Sequence, residues 1–378
     1  MARNIGQRIS NLRARRAGTD RLTSLNEESQ LAVLARSYSE EPWQKRAASQ
    51  TYTRYTLGAM EEVDADYTRI SLETAERVGK QLYSGLSSQG RSISFRLQGS
   101  VPLNVHIRGV SDVDLLTIDD GELLTYHPAG RKSQLGHYTP TTSTSLETLS
   151  TLRRASERVL SSAYPAPSVD KSGGKAIKIS GGSLARPVDV VPSHWHDTID
   201  YQATGLEHDR GVTILDKNVP TTVKNLPFLH IKKITERCGA VVGSLRKAIR
   251  LCKNVKADAE SEGQEIRLSS FDIAATMYHA NQAALLNGAV YELAILAETQ
   301  RHLDYLYNQQ DYARTLLVPD GSRAIFDSAE KFVGLYRLSI EMDDLLREVA
   351  KEQSRQLRIS TSPSFEDFRR SITSAYIL

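Results

Sequence analysis

Apolar positions recur at two different periods along this chain, and the change of period divides it. From Leu25 to Gln89 the pattern is mostly helical, with Leu72, Ala75, Val78 and Leu82 returning every three or four residues on one face. The next hundred residues switch period. Ser92–Leu97, Val113–Ile118, Ala176–Ile179 and Pro187–Val191 are short aliphatic and β-branched runs, punctuated by glycine and proline, and read as strands. Between them Thr139–Thr151, rich in serine and threonine, reads as loop running into a helix at Leu146–Leu160. Beyond Pro220 the helical period returns. Phe228, Ile231, Ile234, Val241, Val242, Leu245, Ile249, Cys252 and Val255 form an apolar stripe with lysines and arginines opposite. Further helices are predicted at about Ser270–Asn281, Tyr291–Tyr307 and Ser328–Gln356. The fold class is therefore α+β: a mixed sheet flanked by helices, joined near Lys217–Thr222 to a C-terminal helical domain, with a cleft between.

Length and composition narrow the class. The 378 residues suffice for two to three domains of ~150 residues each. No apolar run approaches the ~18 to 20 residues of a membrane span, so a soluble chain without a membrane partner is expected. A net charge of +3 excludes a broad nucleic-acid-coating face, and any basic site must be local. Cys238 and Cys252, if carried by one helix, stand ~21 Å apart, too far for a disulfide, which points to a reducing, cytoplasmic compartment. Residues 1–22 carry Arg3, Arg8, Arg13, Arg15, Arg16 and Arg21 against one acid, Asp20, with no apolar h-region. They read as a basic, solvated, mobile arm rather than a secretory signal, though a transit peptide shares that composition. The expected division is an arm at 1–22, a sheet domain with N-terminal helices at 23–218 and a helical domain at 219–378.

The candidate chemistry starts at Gly99-Ser100 and runs through Ile107-Arg108-Gly109 and Ser111 into Asp112-Val113-Asp114. On a strand, residues two apart share a face, so Asp112 and Asp114 leave together, their α-carbons ~6.6 Å apart, while Val113 is buried. Two carboxylates that close repel unless a cation shares them. Asp189, between Val188 and Val190, leaves another inward-packed strand. If that strand neighbours the first, a ~4.8 Å spacing brings the third acid to the pair. Three such acids suit two Mg²⁺ ions, and Gly99 lets a backbone approach phosphates while Ser100 donates to them.

This Gly-Ser, Asp-x-Asp and later lone Asp pattern resembles the polymerase-β-like nucleotidyltransferase superfamily, and its long form resembles the cGAS/DncV-like nucleotidyltransferases, bacterial makers of cyclic oligonucleotide signals. The resemblance covers about Arg96 to Phe271 well and the later helices loosely. It implies a polymerase-β-like core plus a helical domain of the oligoadenylate-synthase type. It also implies Asp112, Asp114 and Asp189 as catalytic metal ligands for two Mg²⁺ ions, with Mn²⁺ as a substitute. Leu245 to Lys253 resembles the family helix bearing a triphosphate-contacting lysine, here Lys253, and Leu268-Ser269-Ser270-Phe271 resembles the element whose serine, here Ser270, donates to the terminal phosphates. Without the resemblance, Lys253 reads as a solvated helix lysine and Ser270 as a helix cap.

The expected substrates are nucleoside triphosphates, the expected product a cyclic or short linear oligonucleotide, and the expected partner a downstream effector in antiphage (CBASS) defence. Two alternatives stay open: a terminal nucleotidyltransferase acting on RNA or another hydroxyl, and a silent nucleotide-sensing relative. No cysteine- and histidine-rich insertion is present, so duplex-DNA sensing is not expected. His194-Trp195-His196-Asp197 reads as a surface loop after the strand, with base stacking by Trp195 near Asp189 as the alternative. The end Ser374-Ala375-Tyr376-Ile377-Leu378 implies no conjugation through the terminus.

Overall fold

Alternation of valines and isoleucines with polar residues builds a mixed sheet. A computed structural model describes residues 4–19, 23, 27, 30, 31, 33, 34, 40–109, 111–165 and 168–377. Of the residues named above, Arg3, Asp20, Arg21, Leu25 and Leu378 lie outside these. The main helices are α1 (Ile5–Ala17), α2 (Thr51–Met60), α3 (Ala65–Ser87), α4 (Ser145–Ala163), α5 (Pro227–Ala240), α6 (Ser244–Ser261), α7 (Ser270–Tyr278), α8 (Leu293–Asn308), α9 (Ala329–Gln353) and α10 (Phe365–Thr373). The strands are β1 (Ile93–Gln98), β2 (Val113–Asp119), β3 (Thr125–Tyr126), β4 (Ser168–Asp170), β5 (Ile177–Gly181), β6 (Leu184–Asp197), β7 (Gly211–Asp216) and β8 (Thr221–Asn225).

The order across the sheet is β1-β2-β6-β5-β4, with β3 and β7 flanking the far half of β6 and β8 beyond β7. β2 and β6 run parallel; β1 and β5 are antiparallel to their neighbours. One sheet face packs Val113, Leu115, Val188 and Val190 against Val78, Leu82 and Leu86 of α3 and Leu149 and Leu152 of α4. A second, larger core joins α5 to α10. Among the described residues no helix is long and apolar enough to cross a membrane.

Five expectations change. The N-terminal arm is a helix: α1 is capped by Asn4, and its Arg8 and Arg15 are buried in ion pairs with Glu262, Glu341 and Asp258. The N-terminal helices do not all belong with the sheet. Ile9 and Leu12 of α1 and Tyr55, Leu57 and Met60 of α2 pack into the helical core, whereas α3 covers the sheet. Lys217–Thr222 is not a boundary but the tip and start of the β7–β8 hairpin, and the helices begin at Pro227. The long apolar stripe from Phe228 breaks at Val242 and Gly243, both at positive φ (50° and 88°), so Cys238 lies on α5 and Cys252 on α6, both free and buried. Finally, His194 to Asp197 complete the buried end of β6 rather than a loop. Trp195 donates to Asp120 at 2.7 Å and packs on Phe228, six residues from Asp189 and away from it along the strand.

Candidate active site

The sheet's own packing aims the acids. Val113 and Leu115 fill the core against α3 and α4, so Asp112 and Asp114 leave by the opposite face. On β6, Val188 and Val190 fill the same core, and Asp189 is the in-register partner of Asp114, on a strand ~4.8 Å away. All three carboxylates therefore share one face. Farther along that face Leu116, Ile118, Val191 and Trp195 form an apolar cluster against Phe228 of α5. The acids occupy the other end.

β1 delivers the glycine turn to the same place. Gln98 pairs with Asp114, and Gly99 follows at φ 76°. A Cβ built on Gly99 would overlap the Asp114 carboxylate, so glycine is required by both the backbone angle and the close approach. Ser100, half-buried, accepts from the Val105 amide at 3.1 Å through its carbonyl.

Electrostatics here favour a cation. Burial pushes the Asp114 carboxyl up to about 7, with Asp189 and Asp112 adding to the rise while Lys253 and Lys178 oppose it. Asp189 is raised too, by burial and then by Asp112. Lys178, opposite Asp189 on β5, donates to Asp112. Among the described residues no three ligating groups converge on an ion as they stand. The oxygen-only donor set, the raised carboxyls and the open glycine turn nonetheless fit a hard divalent ion, for which Asp112 would exchange its lysine.

The remaining predicted residues divide. Lys253 is buried under the loop that enters β2: its ammonium donates to the Val105 carbonyl at 2.9 Å and the Ser111 hydroxyl at 3.0 Å, and burial pulls it down to about 7 against the opposing pull of Asp114. It is not a solvated lysine. Ser270 is exposed at the start of α7, and the helix cap is its neighbour Ser269, which accepts from the Asp272 amide at 3.0 Å. Lys256 of α6 holds the Leu268 carbonyl at 2.5 Å, so α6 ties the serine element to the loop before the acids.

Sequence reasoning missed Lys178, whose only signal is the polar position between Ile177 and Ile179. It also missed Tyr67 of α3, whose ring lies under the guanidinium carbons of Arg186 (3.7 Å) and Arg108 (4.7 Å). These residues, with Lys178, Ser180 and Pro187, line a cavity of about 400 Å³ beside the acids.

A mixed sheet that brings a Gly-Ser turn and three aspartates to one end of one face defines a polymerase-β-like nucleotidyltransferase. Similarity to known proteins agrees. The chain is 46% identical over 312 residues to a cyclic dinucleotide synthase, CdnE, of Yersinia aleksiciae, spanning 82% of this chain and 80% of that one. It is 32% identical over 272 residues to a c-di-GMP synthase of a Lachnospiraceae bacterium, spanning 67% and 75%. Among solved structures, the STING-associated CdnE c-di-GMP synthase of Capnocytophaga granulosa superposes with a TM-score of 0.67 at 29% identity, covering 91% of this chain and 97% of that one. No family model matches the chain. The chain belongs to the CD-NTase family of nucleotidyltransferases. Enzymes of this family generally need divalent metal ions.

Proposed function

We propose that this chain condenses nucleoside triphosphates into a cyclic dinucleotide, releasing pyrophosphate, at Asp112, Asp114 and Asp189. The carrying observation is the in-register pair Asp114–Asp189 beside the Gly99 turn, with both carboxyls raised by burial and then by neighbouring carboxylates, Asp189 and Asp112 at Asp114 and Asp112 at Asp189. The three aspartates would hold two Mg²⁺ ions. When bound, such ions lower the pKa of an attacking ribose hydroxyl and neutralise a departing pyrophosphate. Gly99 gives the triphosphate room against the backbone, and the Ser100 and Ser270 hydroxyls donate to its β- and γ-phosphates. Lys253 adds positive charge beneath Asp114 while fixing Ser111. The bond made joins the acceptor oxygen to the α-phosphorus; the bond broken frees the β- and γ-phosphates together. A second round on the linear product closes the ring.

The family resemblance implies that this product is a diffusible signal for a downstream effector in an antiphage setting. The test is incubation of the purified chain with Mg²⁺ and four labelled nucleoside triphosphates. A small, phosphatase-resistant product is expected, its mass naming the bases, and Asp112→Ala with Asp114→Ala should abolish it. Label incorporated only into added RNA or protein would favour terminal transfer, and nucleotide binding without turnover would favour a silent relative.

A further inference from the structure

We propose that Arg246 and Arg250 are positioning residues for nucleotidyl transfer which, together with Lys253, hold the loop between the Gly-Ser turn and Asp112 through three successive backbone carbonyls. This rests on the nucleotidyltransferase reading of the site. Residues 246, 250 and 253 of α6 are four and three apart, so they stack on one helix face. Arg246 Nε donates to the Leu103 carbonyl at 2.7 Å, Arg250 Nη1 to the Asn104 carbonyl at 2.7 Å, and Lys253 Nζ to the Val105 carbonyl at 2.9 Å. Three adjacent peptide groups in a loop have no strand or helix to satisfy them, and one side-chain ladder does so. Arg250 also spans to the α2 end, its Nε donating to Met60 at 2.8 Å.

The loop needs this support. Asn104 sits at φ 53°, in the left-handed region that asparagine tolerates better than other residues with a side chain, and turns the loop there. Val101 packs in the sheet core, Leu103 and Val105 in the helical core, and Val113 back in the sheet core. The chain therefore crosses between two cores within the dozen residues that join the phosphate turn to the acids. Arg246 and Arg250 touch no reacting atom in this arrangement; they act through the backbone. Loss of one donor leaves a carbonyl with its hydrogen bond unmade and frees the loop to relax.

Four variants of the full chain, Arg246→Met, Arg250→Met, Arg246→Lys and Arg250→Lys, test this by two readouts. The first is amide hydrogen exchange across residues 100–111, which needs no activity. The methionine variants should exchange there at least about tenfold faster, with β2 and β6 amides unchanged. The second is steady-state cyclisation. The methionine variants should lose about 10- to 100-fold in kcat with KM for the triphosphates within about threefold, because an interaction that orders the site acts on the transition state. Arg246→Lys, which needs to reach a single carbonyl, should recover most of kcat, whereas Arg250→Lys, which must bridge two, should recover only part. Unchanged exchange in Arg246→Met overturns the proposal, and so does faster exchange with unchanged kcat. If Arg250→Met fails to fold, the half-buried Arg246 pair decides. A wild-type chain that makes no product overturns the reading of the site, and the exchange experiment still judges the ladder.

Discussion

Two buried clusters of charge differ in sign and in purpose. Beneath α1, Arg8 is bidentate on Glu262 and also reaches Glu341 at 2.8 Å, while Arg15 grips Asp258, which accepts from Tyr55 at 2.6 Å. Each charge there meets its opposite, and Glu262 and Glu341 hold the Arg8 guanidinium protonated well above its ordinary range despite burial. On the sheet, three carboxylates of one sign are pressed together, with Lys178 donating to Asp112 and Lys253 close enough to oppose the rise at Asp114, and two of them resist ionisation. The first cluster is complete without a ligand. The second, on the function proposed above, is completed by a cation, and the stability withheld there is what such a ligand would recover.

The contrast can be broken from either side. Asp189→Ala should lower cyclisation at least about a thousandfold, on the order of 4 kcal/mol of transition-state stabilisation, while leaving circular dichroism unchanged. Arg15→Met should do the opposite, costing about 3 kcal/mol of stability in urea unfolding because it strands a buried Asp258, with the folded fraction still active. Asp114→Asn sharpens the comparison, for it should abolish activity and yet stabilise the metal-free chain by about 1 to 2 kcal/mol at pH 8. The sign follows from a folded carboxyl near 7 against an ordinary value of ~3.9: native protein binds the extra proton, so stability falls as pH rises between the two. The gain should therefore shrink toward zero by about pH 4 in thermal melts across pH. Smallest, Lys178→Met should tighten Mn²⁺ binding to the nucleotide-free chain about tenfold, read by electron paramagnetic resonance, because the competing cation is gone.

What the sequence made legible was whatever depends on neighbours in the chain. Valines flanking Asp112, Asp114 and Asp189 gave the face of each acid, and the parallel pairing of β2 with β6 supplied the one long-range contact that the prediction needed. Where partners lie far away, polar letters misled. His194 meets Ser145 at 2.9 Å, and Asp197 meets Arg210 and Tyr138, so a string that looks wet is a satisfied strand interior. Arg8 and Arg15 find their acids more than 240 residues on, which no local pattern records. Ser269 took the cap expected of Ser270 because two adjacent serines offer the same chemistry and only the backbone chooses. Without the family resemblance Lys253 reads as a surface lysine, because the loop that buries it lies some 140 residues earlier.

β6 has one further consequence. Asp189 stands between two valines that belong to the core, so sliding this strand by a single residue would drive the acid inward and expel both valines, each worth about 1.5 to 3 kcal/mol of burial. A molecule threaded wrongly at this point forfeits core burial as well as the placement of its acid. The register that aims Asp189 is thus kept by the packing of its neighbours, by oil and water rather than by the acid itself.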